Sequence, residues 1–127
     1  MQEKHLYEYA VIRVLPAVER EEFVNTGVIL FCKKAKFIKV YFKLNEKRLL
    51  CFSHELDLDQ LRLNLESFEK IAVGDKQGGI VAEMDLPSRF RWLTAVRSSV
   101  IQTSRPHPGL CDDLERTAKR LFEELVE

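Results

Sequence analysis

The sequence predicts an α+β fold: a mainly antiparallel sheet of three to five strands with helices packed on one face. Two observations carry this. The first third holds short apolar runs bounded by turn residues, the mark of buried strands. The middle and the end carry apolar residues at steps of three and four, the mark of helices that bury one stripe.

The first strand runs from Tyr7 to Leu15, and Pro16 ends it by removing a donor and fixing its own φ. The second runs from Gly27 to Cys32. It is entered through Asn25-Thr26-Gly27, which reads as a sharp turn: asparagine tolerates left-handed φ and glycine carries no Cβ. The third is Phe37 to Phe42, with Ile38, Val40 and Phe42 alternating against Phe37, Lys39 and Tyr41. The link Lys33-Lys34-Ala35-Lys36 is short enough to force an antiparallel hairpin, and its lysines suit an exposed tip.

Leu58, Leu61, Leu65, Phe68 and Ala72 form one apolar stripe, which predicts a helix over Asp57–Val73. Asp57 with Gln60 makes a capping box, Leu56 with Leu61 a hydrophobic staple, and Gly74 a stop. Ile80, Ala82 and Met84 alternate as a short fourth strand. Pro87 opens a second helix whose buried side is Phe90, Leu93 and Val96. Val100 to Ser104 is a strand or an extended segment. Two prolines and a glycine make Arg105-Pro106-His107-Pro108-Gly109 a loop. The last helix buries Leu114, Ala118, Leu121, Phe122, Leu125 and Val126. Asp112 caps it, and Glu115–Lys119 and Arg120–Glu124 are spaced as ion pairs.

At 127 residues the chain fits one domain, 1–127. A domain of this size buries roughly two thirds of its unfolded surface, so it needs neither a metal nor a disulfide to fold. Lys+Arg and Asp+Glu are both 20, and this zero balance argues against a dedicated nucleic-acid binder. It also does little to oppose self-association and leaves room for a homo-oligomer. Cys32, Cys51 and Cys111 form no C-x-x-C pair. The start lacks a signal-peptide pattern, and no apolar run approaches the ~18 residues of a membrane span. These features predict a cytoplasmic protein with reduced cysteines. Zinc spacings, a P-loop, G-x-S-x-G and G-x-G-x-x-G are all absent, so no cofactor or metal is expected.

Several residues could still carry chemistry. Arg13 sits in an apolar strand, where an unpaired guanidinium is very costly. It either pairs with Glu19, Glu21 or Glu22 or serves an anion. Glu19-Arg20-Glu21-Glu22 is either a solvated face or a set of paired carboxylates, Glu21 and Glu22 among them, that does acid/base work or holds Mg²⁺. The Asn25 turn could present amides to an anion. Arg89, Arg91 and Arg97, with Ser98, Ser99, Gln102, Ser104 and His107, form a second polar cluster suited to a phosphate or carboxylate, or else a solvated arginine helix. His107 lies between prolines and is either a strut or a base.

Charge is uneven along the chain. Residues 33–48 hold seven basic and one acidic residue; 55–69 hold five acidic and one basic. The basic patch is Lys33, Lys34, Lys36, Lys39 and Lys43. It could touch a nucleic-acid backbone or an acidic partner, or neutralise the acidic helix. No aromatic ladder accompanies it, which disfavours single-strand binding.

Three stretches together are distinctive: Tyr7–Pro16 (YEYAVIRVLP), Glu19–Val28 (EREEFVNTGV), and the segment running from Arg89-Phe90-Arg91-Trp92-Leu93 through Arg97-Ser98-Ser99 and Gln102-Thr103-Ser104 to His107-Pro108-Gly109-Leu110. They resemble the bacterial domain-of-unknown-function family 3037 over nearly the whole chain. The resemblance implies a small bacterial protein and carries no functional residues. It also implies a possible partner, a kinase-like protein of the HipA type encoded nearby. The motifs contain Arg13, the Glu19–Asn25 turn and the Arg97–His107 segment, which would form one arginine-rich polar pocket if the sheet brings them together.

The function expected from all this is a non-catalytic binding or regulatory module docking on a partner protein. The alternative is an enzyme acting on a phosphorylated or nucleic-acid substrate. In that case Arg13, Arg97 and His107 would hold the anion and Glu21 or Glu22 would serve as base or metal ligand.

Overall fold

A computed structural model describes residues 4–15, 22–52, 57–95 and 100–127. The elements are β1 (His5–Val14), β2 (Val24–Cys32), β3 (Phe37–Phe42), α1 (Glu46–Phe52), α2 (Leu58–Val73), α3 (Leu86–Leu93), β4 (Ile101–Thr103), β5 (His107–Cys111) and α4 (Leu114–Leu125). Two short 3₁₀ turns, Lys76–Gly78 and Val81–Glu83, lie between α2 and α3.

The sheet is antiparallel throughout, with order β3-β2-β1-β4, and β5 also pairs with β1. Since β2 occupies one edge of β1, β4 and β5 share the other. Ser104 joins them. Its N–H donates to the Val11 carbonyl at 2.9 Å, and its Oγ accepts from the Val11 N–H at 2.9 Å. A side chain thus continues the ladder where the edge strand is interrupted, so no buried backbone group of Val11 is stranded.

The α+β class and the antiparallel sheet are as the sequence predicts. The predicted one-face packing holds for α1, α2 and α3. Ala10, Ile12, Ile29, Phe31 and Val40 pack against Leu65, Ile71 and Ala72 of α2 and Phe90 and Leu93 of α3. Val14 and Val24 continue this face against Leu49 of α1 and Leu61 of α2. Helix α4, however, lies on the opposite face, where Leu114, Ala118, Leu121 and Phe122 cover Tyr7, Val28, Leu30 and Cys32. The reason is in the strands. Residues 28–32 are apolar at every position, so both faces must be covered.

Local signals explain most boundaries. Asp57 accepts from the Gln60 N–H at 3.0 Å and caps α2, and Gly74 closes it in the left-handed region at φ 77°. Asp85 caps α3 by accepting from the Ser88 N–H at 2.8 Å, and these Ser88 contacts hold its carboxyl below the ordinary range. The cap of α4 is Asp113 rather than Asp112: its carboxylate accepts from the Arg116 N–H at 3.1 Å.

Other expectations are corrected. Residues 80–84 are a 3₁₀ turn and not a strand; of the alternating trio only Ala82 is buried, and Ile80 is 86% exposed. The stretch expected as a loop contains β5. Proline is tolerated there because β5 is an edge strand, where a missing N–H disrupts least. Gly109 is needed because the Tyr7 ring fills the space a Cβ would take. Asn25, Thr26 and Gly27 lie inside β2, not in a turn before it. Gly27 serves a close approach, since a Cβ there would run into the Tyr41 carbonyl oxygen on β3. Helix α1 had no amphipathic stripe long enough to announce it. Leu56 and Val96, expected to pack on helices, lie outside the described residues.

A candidate binding site on the α4 face

The site starts from strand register. Arg13 on β1 opposes Asn25 on β2 and Gln102 on β4. Directly opposed residues of antiparallel strands project to the same face, so the three side chains form one row across the sheet. The face is set by β1, where Tyr7 is buried under α4 and Arg13 follows it at an even spacing. Register slips between Ile12 and Arg13. Gly27 opposes Ile12 and Asn25 opposes Arg13, which makes Thr26 the extra residue of a bulge. Thr26 is buried and its hydroxyl donates to the Val24 carbonyl at 3.1 Å. The bulge is what aims Asn25 at the row.

The row lies beyond the C-terminal end of α4. Asn25 Nδ2 donates to the Leu125 carbonyl at 3.1 Å, which fixes the amide orientation. Its Oδ1 is then an acceptor, and it is buried with no hydrogen-bond partner. Beside it, Arg13 Nε is a buried donor with no partner. The guanidinium carbon sits 4.1 Å over the centre of the Phe23 ring, and Phe23 is 45% exposed. Among the described residues Arg13 makes no ion pair, with Glu22 or any other carboxylate. Glu19 and Glu21 lie outside the described residues. Next to the row, Asn25, Lys43, Asn45, Arg48, Val126 and Glu127 line a recess of about 280 Å³.

The remaining predicted residues divide. His107 opposes Tyr9, with ring centroids 5.4 Å apart, on the same face as the row but four residues further along β1. Ser104 is a ladder residue. Arg89 is occupied by backbone: its Nε donates to the Ala72 carbonyl at 3.3 Å and its Nη1 to the Met84 carbonyl at 2.6 Å. Arg91 makes a two-pronged pair with Glu8, at 3.0 and 2.7 Å. Two of the three arginines of the second cluster are therefore engaged elsewhere. Arg97 and Ser98 lie outside the described residues, as does Glu21.

The basic run does not form one continuous patch. Lys39 sits over the Tyr41 ring and reaches Glu115 Oε1 at 3.7 Å, so α4 neutralises it. Lys43 borders the recess at the row. Lys33, Lys34 and Lys36 lie at the hairpin tip, at the other end of β2 and β3. Phe23 and the Thr26 bulge were missed in the sequence. The available signal for Phe23 was a lone aromatic between polar Glu22 and the strand; the bulge had none. A second cavity of about 600 Å³ opens on the α2 face between α2, α3 and β4, bordered by Asn64, Ser67, Trp92 and Thr103. Thr103 Oγ1 is buried there without a partner.

The row offers one permanent positive charge and two carboxamides. A guanidinium and two carboxamides make hydrogen bonds and do not attack as nucleophiles. They can hold a polar group in place without reacting with it. Among the described residues no set of three or more His, Cys, Asp or Glu side chains could hold a metal ion. No helix among them is long and apolar enough to cross a membrane.

The fold is an α+β arrangement on an antiparallel sheet, with a polar cross-strand row at one end of that sheet. Residues 9–126 match the model of the family described as protein of unknown function DUF3037, and the chain belongs to that family. Comparison with curated proteins gave no match, and neither did comparison with solved structures.

Proposed function

We propose that the protein is a non-catalytic binding or regulatory module that docks on a partner protein through the Arg13–Asn25–Gln102 row. The observation that supports this is the pair of partnerless polar atoms, Arg13 Nε and Asn25 Oδ1, on directly opposed residues. An unsatisfied buried polar group costs about 1–3 kcal/mol, so two side by side are retained at a real expense in stability. One wants an acceptor and the other a donor. A partner segment with an acidic side chain and its own backbone N–H supplies both. Phe23 covers the guanidinium and is itself half-exposed, so a partner that displaces the ring reaches the charge. The chemistry of the row, which binds without reacting, favours docking over turnover.

The kinase-like protein of the HipA type implied by the family resemblance is the first partner to test. Calorimetric titration of that purified protein with this one should show binding. Arg13→Ala should weaken it by about tenfold or more, as expected when one side of a buried charged contact is removed. Arg91→Ala, on the other face, should leave it unchanged. Equal affinity for wild type and Arg13→Ala, with the variant folded by circular dichroism, refutes the reading.

A further inference from the structure

The hairpin tip carries a second polar surface, independent of the row. It lies at the opposite end of β2, roughly 20 Å away by strand rise. Lys33, Lys34 and Lys36 occupy three of the four turn residues, all exposed. Lys4 and His5 arrive beside them from the start of β1. Lys4, His5, Leu6, Lys33 and Lys34 line a recess of about 650 Å³, and none of them is acidic. Among the described residues, none of the four lysines is in an ion pair.

Two further features mark this end of the sheet. The first is apolar. Leu6 is 65% exposed, and so is its directly opposed neighbour on β5, Leu110, at 62%. Exposed leucines are common singly, but a cross-strand pair edged by lysines is a patch. The next pair along β1, Glu8 with Pro108, lies where Arg91 of α3 reaches Glu8. The leucine pair is therefore the part of this face left beyond α3. The second feature is conformational. Lys36 is the only non-glycine among the described residues with positive φ, at 51°. The Lys36 N–H donates to the Lys33 carbonyl at 3.2 Å, the pattern of a turn that closes on a left-handed residue, where glycine is favoured. A lysine stands at that position against backbone preference.

We infer that the hairpin-tip end of the sheet is a docking surface for an acidic segment of a partner protein that carries an apolar side chain. Carboxylates of the segment meet Lys4, Lys33 and Lys34, and its apolar side chain lies on Leu6 and Leu110. A nucleic-acid backbone would use the lysines and leave the leucines in water. A bilayer favours a wedge of several apolar side chains, whereas this surface has two leucines edged by lysines.

The test uses a short synthetic peptide of alternating glutamate and leucine, followed by fluorescence anisotropy and by backbone amide shifts of the full chain. The peptide should bind and shift the amides of Leu6, Lys33, Lys34 and Leu110. Leu6→Ser and the pair Lys33→Glu with Lys34→Glu should each weaken it about tenfold or more. These are exposed positions, and unchanged melting temperatures confirm that the variants are folded. Arg13→Ala should leave peptide binding intact, which separates this surface from the row. Absence of shifts at the tip at millimolar peptide overturns the proposal. So does polyglutamate binding as tightly as the mixed peptide with no effect of Leu6→Ser. Tighter binding of oligothymidine or of phosphatidylserine vesicles to the same lysines overturns it in favour of nucleic acid or membrane.

Discussion

At the scale of residues, the informative positions are those at which local preference and observed placement disagree. Arg13 stands in a strand among Ile12, Val14 and Val11, all buried, yet its Nε finds no acceptor. Asn25 sits in a strand interior, where asparagine is disfavoured, and is tied down by one hydrogen bond to Leu125. Lys36 holds a conformation in which a Cβ is unwelcome. Replacing it with glycine should relieve that strain. Lys36→Gly is expected to raise unfolding free energy by about 0.5–1 kcal/mol, measured by urea denaturation. A loss of stability instead would mean that the lysine makes a native contact. Arg13 was legible in the sequence because a guanidinium is out of place in an apolar strand, whereas Asn25 stood out only as a turn residue and lies inside β2. Their meeting was not legible, because it depends on a bulge at Thr26 that leaves no mark in composition or periodicity.

At the scale of elements, patterns with strong local chemistry were readable and short ones were not. Helix α2 has its stripe, its Asp57 cap and its Gly74 stop, and all three are found in place. Strand β3 begins and ends where its alternation does. Strand β5 was hidden by Pro108 and Gly109, which argue for a loop until an edge position and the Tyr7 ring make them acceptable. Charged pairing across elements was also invisible. Glu115 was spaced to meet Lys119, but it accepts the Tyr41 hydroxyl at 3.0 Å and meets Lys39. That contact has a pH signature. Burial, with help from Glu115, raises the Tyr41 hydroxyl above its ordinary 10.0, and burial does the same at Tyr7. Both packings lie between α4 and the sheet. A raised folded-state value means that the contribution is complete below pH 10.0 and is lost as pH climbs through the folded-state value. Melting temperature should therefore fall in alkali above that point. The fall should be shallower in Tyr41→Phe, and shallower still with Tyr7→Phe added. Parallel curves for all three proteins would show that tyrosine ionisation is not what loosens α4.

At the scale of the whole molecule, the sheet has two covered faces and a polar group of residues at each of two ends. The class was legible because buried strands come first and amphipathic helices follow. The assignment of α4 to its own face follows from strands that are apolar on both sides, a consequence of 28–32 that only becomes visible once the helices are counted against the faces. One end of the sheet carries the Arg13–Asn25–Gln102 row, the other the lysine tip with its leucine pair, and the basic run that looked continuous in sequence is divided between them by Lys39. On the reading proposed above, both surfaces serve docking rather than chemistry on a bound molecule. The most direct measurement is of the side-chain signals of the row itself. In nitrogen-resolved NMR of the full chain, Arg13 Nε–H and the Asn25 amide should both shift as the kinase-like partner is added, saturating at the stoichiometry found by calorimetry. Saturated binding that leaves both signals where they were would contradict a docking role for the row.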